Sequence, residues 1–162
     1  MAEQKENRKS GETSDAARVR EILATIKPLA VEYYQLTGRP LGVTGEVAEY
    51  VAAKHLDLTL APPRTAGYGA LRGDERILIR GRACDNNVSG QTLTKINRDA
   101  PCDTVLLVLL DKDTLELREI YQATFAAVLE CLARPGSKAR ARGVLRVSEF
   151  KQIAKSVVRI TR

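Results

Sequence analysis

The segment Thr104–Leu110 constrains the fold of this chain more than any other, because six aliphatic residues follow Thr104 without a polar interruption. A strand with one face in solvent alternates apolar and polar residues, whereas a continuous apolar run of this length is typical of a central strand buried on both faces. Such a strand needs a sheet around it and covering layers above and below. We therefore expect an α/β fold with helices covering a mixed β-sheet.

The patterns around this run predict two helices, two or three strands, a further helix, a strand and a last helix. Residues 1–13 are polar and charged, so they are predicted to form a disordered tail, with a single domain over residues 14–162. The remaining predicted elements are a helix from Thr44 to about Leu56, a hairpin turn at Arg72–Asp74, a strand at Leu117–Gln122, a short helix at Thr124–Leu132 and a short strand at Val144–Val147.

The C-terminal part of the chain is strongly basic. Residues 134–162 contain nine Lys or Arg and one acid, Glu149, which gives +8 there; the whole-chain charge of +6 leaves −2 for the other 133 residues. Lys138, Arg140 and Arg142 lie on a predicted loop. Lys151, Lys155 and Arg159 recur every four residues, which predicts a basic stripe on the outer side of a last helix that starts at Ser148. A basic end on a near-neutral body suggests a polyanion partner, with nucleic acid first; the alternative is a solvated basic surface.

Composition excludes several classes of protein. No apolar run approaches the roughly 18 residues of a membrane span, and the N-terminus has no secretory pattern. Cys84, Cys102 and Cys131 are scattered without a CxxC pair, which argues against a zinc site or a disulfide framework. We expect a cytoplasmic protein with free thiols, no cofactor and no membrane association.

The strand after the hairpin turn carries an unusual set of cations. Alternation puts Ile77 and Ile79 on one face, and the other face receives the residues Arg76, Leu78, Arg80 and Arg82. These arginines are candidates for phosphate binding, since a guanidinium clamps phosphate oxygens through a fork of donors. The alternative is structural pairing with Glu46, Glu49 or Asp85.

Five segments resemble small bacterial proteins of the PD-(D/E)XK, or restriction-endonuclease-like, nuclease superfamily. They are Gly42–Tyr50, Ala66–Ala70, Ile77–Arg82, Asp103–Asp111, and Pro135–Arg140 with Ser148–Lys151. The resemblance implies an acid on the early helix, which Glu46 matches. It also implies an Asp where Gly69 stands, and a Gln and a Lys where Leu78 and Arg80 stand. The frame of the metal-binding hairpin is present without its reactive groups.

The substitutions bear directly on chemistry. A nuclease of this type holds Mg²⁺ through oxygen ligands near the scissile phosphate. Gly69 and Leu78 have no side-chain oxygen, and Arg80 stays protonated and cannot act as a base. The resemblance thus implies a catalytically degenerate protein with no metal site. An alternative set of ligands is Glu46 with Asp74 or Glu75, which lie in the same hairpin.

We therefore expect a protein that binds nucleic acid, or that serves as a non-catalytic component of a DNA-handling or defence system. One alternative is a divergent Mg²⁺-dependent nuclease that uses Glu46 with Asp74 or Glu75. The other is a structural protein that forms a homodimer or larger oligomer, or docks a protein partner. The geometry of the carboxylates of Glu46, Asp74 and Glu75 separates the binding protein from the nuclease. Binding is separated from a purely structural role by whether the basic C-terminal region shares a face with Arg80.

Overall fold

A computed structural model describes the backbone of residues 2–161 and the side chains of residues 14–161. The chain forms two compact units, Met1–Val43 and Thr44–Arg162. In chain order the elements are α1 Ala2–Thr37, α2 Thr44–Leu56, β1 Thr59–Leu60, β2 Ala70–Arg72, β3 Glu75–Cys84, β4 Thr104–Asp111, β5 Leu117–Thr124, α3 Phe125–Ala133, α4 Lys138–Ala141, α5 Val147–Ile153 and β6 Lys155–Arg159.

The first unit is built on the long helix α1, which has Pro28 in its interior. Its backbone is helical from Ala2, so the helix extends through the segment where the sequence predicted a disordered tail. The side chains of residues 1–13 lie outside the described part of the structure. The predicted tail and the predicted single domain over residues 14–162 stay predictions.

The second unit is an α/β structure around a mixed six-stranded sheet in the order β1-β2-β3-β4-β5-β6. Strands β3 and β4 are parallel, and every other neighbouring pair is antiparallel. Strand β4 is buried over Thr104–Leu110, which confirms the central strand expected from its apolar run. The hairpin of β2 and β3, the strand β5 and the helices α2 and α3 also follow the sequence prediction.

Helices cover both faces of this sheet. On one face α2 lies so close to β3 that a Cβ atom on Gly81 would be 2.5 Å from the Cβ of Ala48. On the other face the main apolar cluster brings together Leu78 of β3 with residues of β4, α3 and α5. The cluster also contains Leu93, Ile96 and Leu145 from irregular segments. These segments are therefore anchored on the same face as Leu78 and Arg80.

The predicted last helix is wrong beyond Ile153. Helix α5 ends there, and Lys155–Arg159 forms the edge strand β6, antiparallel to β5. Residues four apart share a face on a strand as they do on a helix, so the spacing of Lys155 and Arg159 did not distinguish the two. Pairing with the free edge of β5, which suits the β-branched Val157 and Val158, decides for the strand.

The short strand expected at Val144–Val147 is also wrong, because only Arg146 pairs in β fashion, in a single bridge to Thr92, and Val147 begins α5. The three cysteines are free thiols and all are buried. Among the residues that the structure describes, no helix has the length and apolar character needed to cross a membrane.

Candidate nucleic-acid interface

Gly69 lies directly before β2 and faces β3 across the hairpin. Ala70 pairs with Ile77, and the Gly69 N–H donates a hydrogen bond of 2.9 Å to the Ile77 carbonyl, so Gly69 lies beside Leu78. Leu78 and Arg80 share one face of β3, whereas a Cβ atom on Gly69 would meet Glu49 of α2, the helix that packs against Gly81 on the opposite face. Leu78 is packed into the apolar core.

The acid of α2 that lies beside Gly69 is Glu49 rather than Glu46. A Cβ atom on Gly69 would lie 2.9 Å from Oε1 of Glu49, so this carboxylate stands where a side chain at position 69 would begin. Burial raises the pKa of Glu49, the nearby Glu46 raises it further, and the charge of Arg80 partly opposes both. Glu46 thus lies close enough to act electrostatically on the site.

Arg80 is half-buried, and the charge of Glu49 acts on it. Its guanidinium donates to the carbonyl of Lys95 at 3.2 Å and to that of Ile79 at 3.4 Å. Its Nε atom is buried and has no hydrogen-bond partner among the described residues. Burial lowers the pKa of Arg80, while Cys102 and Glu49 act in the opposite direction. Arg80 is therefore held on β3 as a positive charge by two backbone carbonyls.

These groups form a poor site for a divalent metal. Mg²⁺ prefers several oxygen ligands in near-octahedral geometry. Position 69 contributes no side-chain oxygen, position 78 is apolar, and the Ile79 carbonyl already accepts a hydrogen bond from Arg80. Within the described part of the chain, no three His, Cys, Asp or Glu side chains gather as metal ligands would.

The alternative acids of the hairpin are Asp74 and Glu75. Glu75 receives two hydrogen bonds from the Arg72 guanidinium, at 2.8 and 3.2 Å, and one from the Thr104 hydroxyl. The hydrogen bonds from Arg72 and then Thr104 lower the pKa of Glu75. Asp74 is exposed at the hairpin tip. The hairpin acids are therefore engaged locally or directed into solvent.

The irregular segment 92–98 connects the arginines of β3 to the basic C-terminal region. Arg80 and Arg82 donate to the carbonyls of Lys95 and Thr92. The same segment holds the loop after α4, because the Ile96 N–H donates to the Gly143 carbonyl at 2.8 Å. The Arg98 guanidinium donates to the Ala141 carbonyl at 3.1 Å. The predicted basic loop is wrong over Lys138–Ala141, which forms the short helix α4. Residues 92–98 therefore lie between β3 and α4 with the turn that follows it, on one face of the second unit.

Many of the predicted cations are held by acids. The pairs are Arg76 with Asp103 at 3.1 Å, Arg140 with Glu149 at 2.6 Å, and both Lys151 and Arg159 with Glu119 at 3.3 and 2.9 Å. Lys151 also lies over the Tyr121 ring, 4.8 Å from its centroid. These cations are neutralised locally and contribute less to an external field than the sequence suggested.

Other cations remain exposed and form no ion pair with a described residue. Of the predicted set these are Lys138, Arg142 and Lys155, and the adjoining segment adds Lys95 and Arg98. We call Lys95, Arg98, Lys138 and Arg142 the basic patch. The sequence missed Lys95 and Arg98 because they lie in an irregular stretch without periodicity. Their only signal was a Lys and an Arg three residues apart, close behind the arginine-rich strand.

The chain was also compared with known proteins. No model of a protein family matches it, and no curated protein was found to be similar to it.

Proposed function

We propose that this protein binds the phosphate backbone of nucleic acid without cleaving it, on a nuclease-like frame that has lost its metal ligands. The observation that carries the proposal is the basic patch beside Arg80, held there by the hydrogen bonds of residues 92–98. The patch would serve as the binding surface of a non-catalytic component in a DNA-handling assembly.

The balance of charges on this face favours a polyanion. Asp99 directly follows Arg98 and still leaves the four cations of the patch in excess, and Glu149 is already paired with Arg140. Exposed lysines and arginines without acidic partners keep their full charge, and their fields add over a surface of this kind. Backbone phosphates are the ligands that such cations select, with little dependence on base sequence.

Absence of cleavage follows from the groups at the motif positions. Gly69 and Leu78 supply no metal ligand, and Arg80 supplies charge but no base. Glu49, with Glu46 and Arg80 near it, does not supply an octahedral set of oxygens. The site therefore suits binding better than hydrolysis.

The test is a salt titration of binding to duplex DNA, single-stranded DNA and RNA with the parent and a Lys138→Ala/Arg142→Ala variant. Each phosphate that the protein neutralises adds about 0.9 to the steepness of the log–log salt dependence for duplex DNA. This variant should therefore bind more weakly and flatten the slope by roughly two units. Both side chains are exposed, so the fold should be unchanged.

The matched control is Lys54→Ala/Lys112→Ala, which removes the same charge. Lys54 is exposed on α2, which covers the other face of the sheet, and Lys112 is half-exposed in a surface pair with Asp85. The control should retain the parent's salt slope. If both variants weaken binding equally, net charge rather than the patch governs binding. If the parent binds no nucleic acid at low salt, the proposal is wrong.

A further inference from the structure

Helix α1 has an apolar stripe with the spacing of a coiled coil. Large apolar residues recur at intervals of three, four, three, four and three, at Val19, Ile22, Ile26, Leu29, Tyr33 and Leu36. In a heptad labelled a to g, Val19, Ile26 and Tyr33 take position a, and Ile22, Leu29 and Leu36 take position d. Alternation of three and four is the narrow pattern by which two helices bury one another's side chains. We call these six residues the α1 seam.

The α1 seam is open to solvent. Val19 and Ile22 are each 43% exposed, Leu29 is 53%, Tyr33 is 39% and Leu36 is 78% exposed. Ile26 in the middle is half-buried. A continuous row of exposed large apolar side chains is uncommon on a monomeric protein and marks an interaction surface. The row therefore lacks its covering partner.

We propose that the α1 seam pairs with the same seam of a second copy of this chain, as a parallel two-stranded coiled coil. β-Branched residues at a and leucine at d favour two parallel strands, and Val19, Ile26, Leu29 and Leu36 follow that rule. Ile22 and Tyr33 depart from it but keep the seam apolar.

The flanking positions permit this arrangement. In a parallel pair, position g of one helix faces position e of the other. Positions g carry Arg18, Thr25 and Glu32, and positions e carry Leu23, Ala30 and Thr37, so no two like charges face each other. Arg18 is already paired with Glu21 of its own helix at 3.0 Å. Pro28 takes the outer position c and does not enter the seam.

The first experiment measures the mass of the full-length chain by light scattering and sedimentation equilibrium over about a hundredfold range of concentration. The mass should rise from 17.8 kDa toward twice that value. Leu29→Lys puts a charge in the seam and should raise the dimer dissociation constant at least about tenfold. Ala24→Lys, on the outer side of the same helix, should leave it unchanged. Circular dichroism checks that both variants keep their helix.

The second experiment tests the orientation. The three native thiols are buried, so Ile22→Cys supplies the one exposed thiol. A parallel pair puts position 22 against position 22 of the other copy, and mild oxidation should give a covalent dimer. A parent that stays monomeric at every concentration, or a Leu29→Lys variant that dimerises as the parent does, overturns the proposal. A non-covalent dimer that Ile22→Cys does not cross-link overturns the parallel arrangement.

Discussion

At the scale of single residues, Glu49 and Gly69 define the candidate site together. The sequence directed attention to Glu46 because it lies in the first turn of α2 and matches the acid implied by the resemblance. Residues three apart share a helix face, so sequence alone could not choose between Glu46 and Glu49. Glu49 is the acid beside position 69, because the absence of a side chain on Gly69 leaves the space that the Glu49 carboxylate occupies.

The raised pKa of Glu49 predicts a pH dependence of stability. Burial and Glu46 raise this pKa above 4.5, so the folded state holds its proton to higher pH than the unfolded state does. The associated stability is present below the unfolded value and is lost as pH rises through the folded value. Glu49→Gln removes the titrating carboxyl at position 49, so the variant should not lose this part of the stability as pH rises. The free energy of unfolding in urea, measured from about pH 4 to about pH 8, should therefore fall less in the variant.

Glu130→Gln is the control, because Glu130 is exposed on α3 and the substitution removes the same charge. Its stability curve should run parallel to that of the parent. Parallel curves for Glu49→Gln and the parent would show that the Glu49 carboxylate is solvated in the folded protein, contrary to its position beside Gly69.

At the scale of elements, the sequence predicted best where periodicity and burial agree. The bounds of α2 are those expected, and β4 was recognisable because no helix or exposed strand needs a bare aliphatic run of that length. The prediction for the end of the chain was wrong because the residues after Ile153 fit a helix and an edge strand equally well. The open edge of β5 settles the conformation, and that is a tertiary property which local sequence does not contain.

The close approach of α2 to β3 predicts the effect of Gly81→Ala. The added methyl would lie 2.5 Å from the Cβ of Ala48 and 3.0 Å from the Thr44 carbonyl oxygen, which belongs to the backbone and cannot swing aside. Overpacking of this kind costs about 1–3 kcal/mol. Gly45→Ala, on α2 with nothing within 4 Å, is the control and should be neutral or slightly stabilising. Chemical denaturation of both variants measures the difference, and equal stabilities would mean that α2 lies farther from β3.

At the scale of the whole molecule, the charge pattern was only partly readable from the sequence. Residues 134–162 carry an excess of +8, yet Glu119, which lies outside that range, holds both Lys151 and Arg159. The patch instead adds Lys95 and Arg98 from a segment much earlier in the chain, by hydrogen bonds such as that of Arg98 to the Arg140 carbonyl, 42 positions away. Ion pairs between residues distant in sequence decide which cations remain available for binding, and counting charges along the sequence does not reveal those pairs.

The proposed loss of metal chemistry predicts that duplex and single-stranded substrates stay intact with Mg²⁺ or Mn²⁺. The reason is the missing oxygen ligands at Gly69 and Leu78. Nucleic-acid binding should also be unchanged when a chelator replaces the metal. Gel assays with a matched chelator control measure both. Cleavage that needs metal and disappears in Glu46→Ala and Glu49→Ala would instead establish a divergent nuclease.

The three buried thiols can report local unfolding of this protein. Cys84 ends β3, Cys102 precedes β4, and Cys131 lies in α3, so each is shielded by a different part of the sheet's core face. A thiol reagent can reach each sulfur only when its own region opens, at a rate set by the local opening free energy. Alkylation kinetics, measured separately for the peptide that carries each cysteine, would thus rank three regions of the second unit by stability without any substitution in the chain.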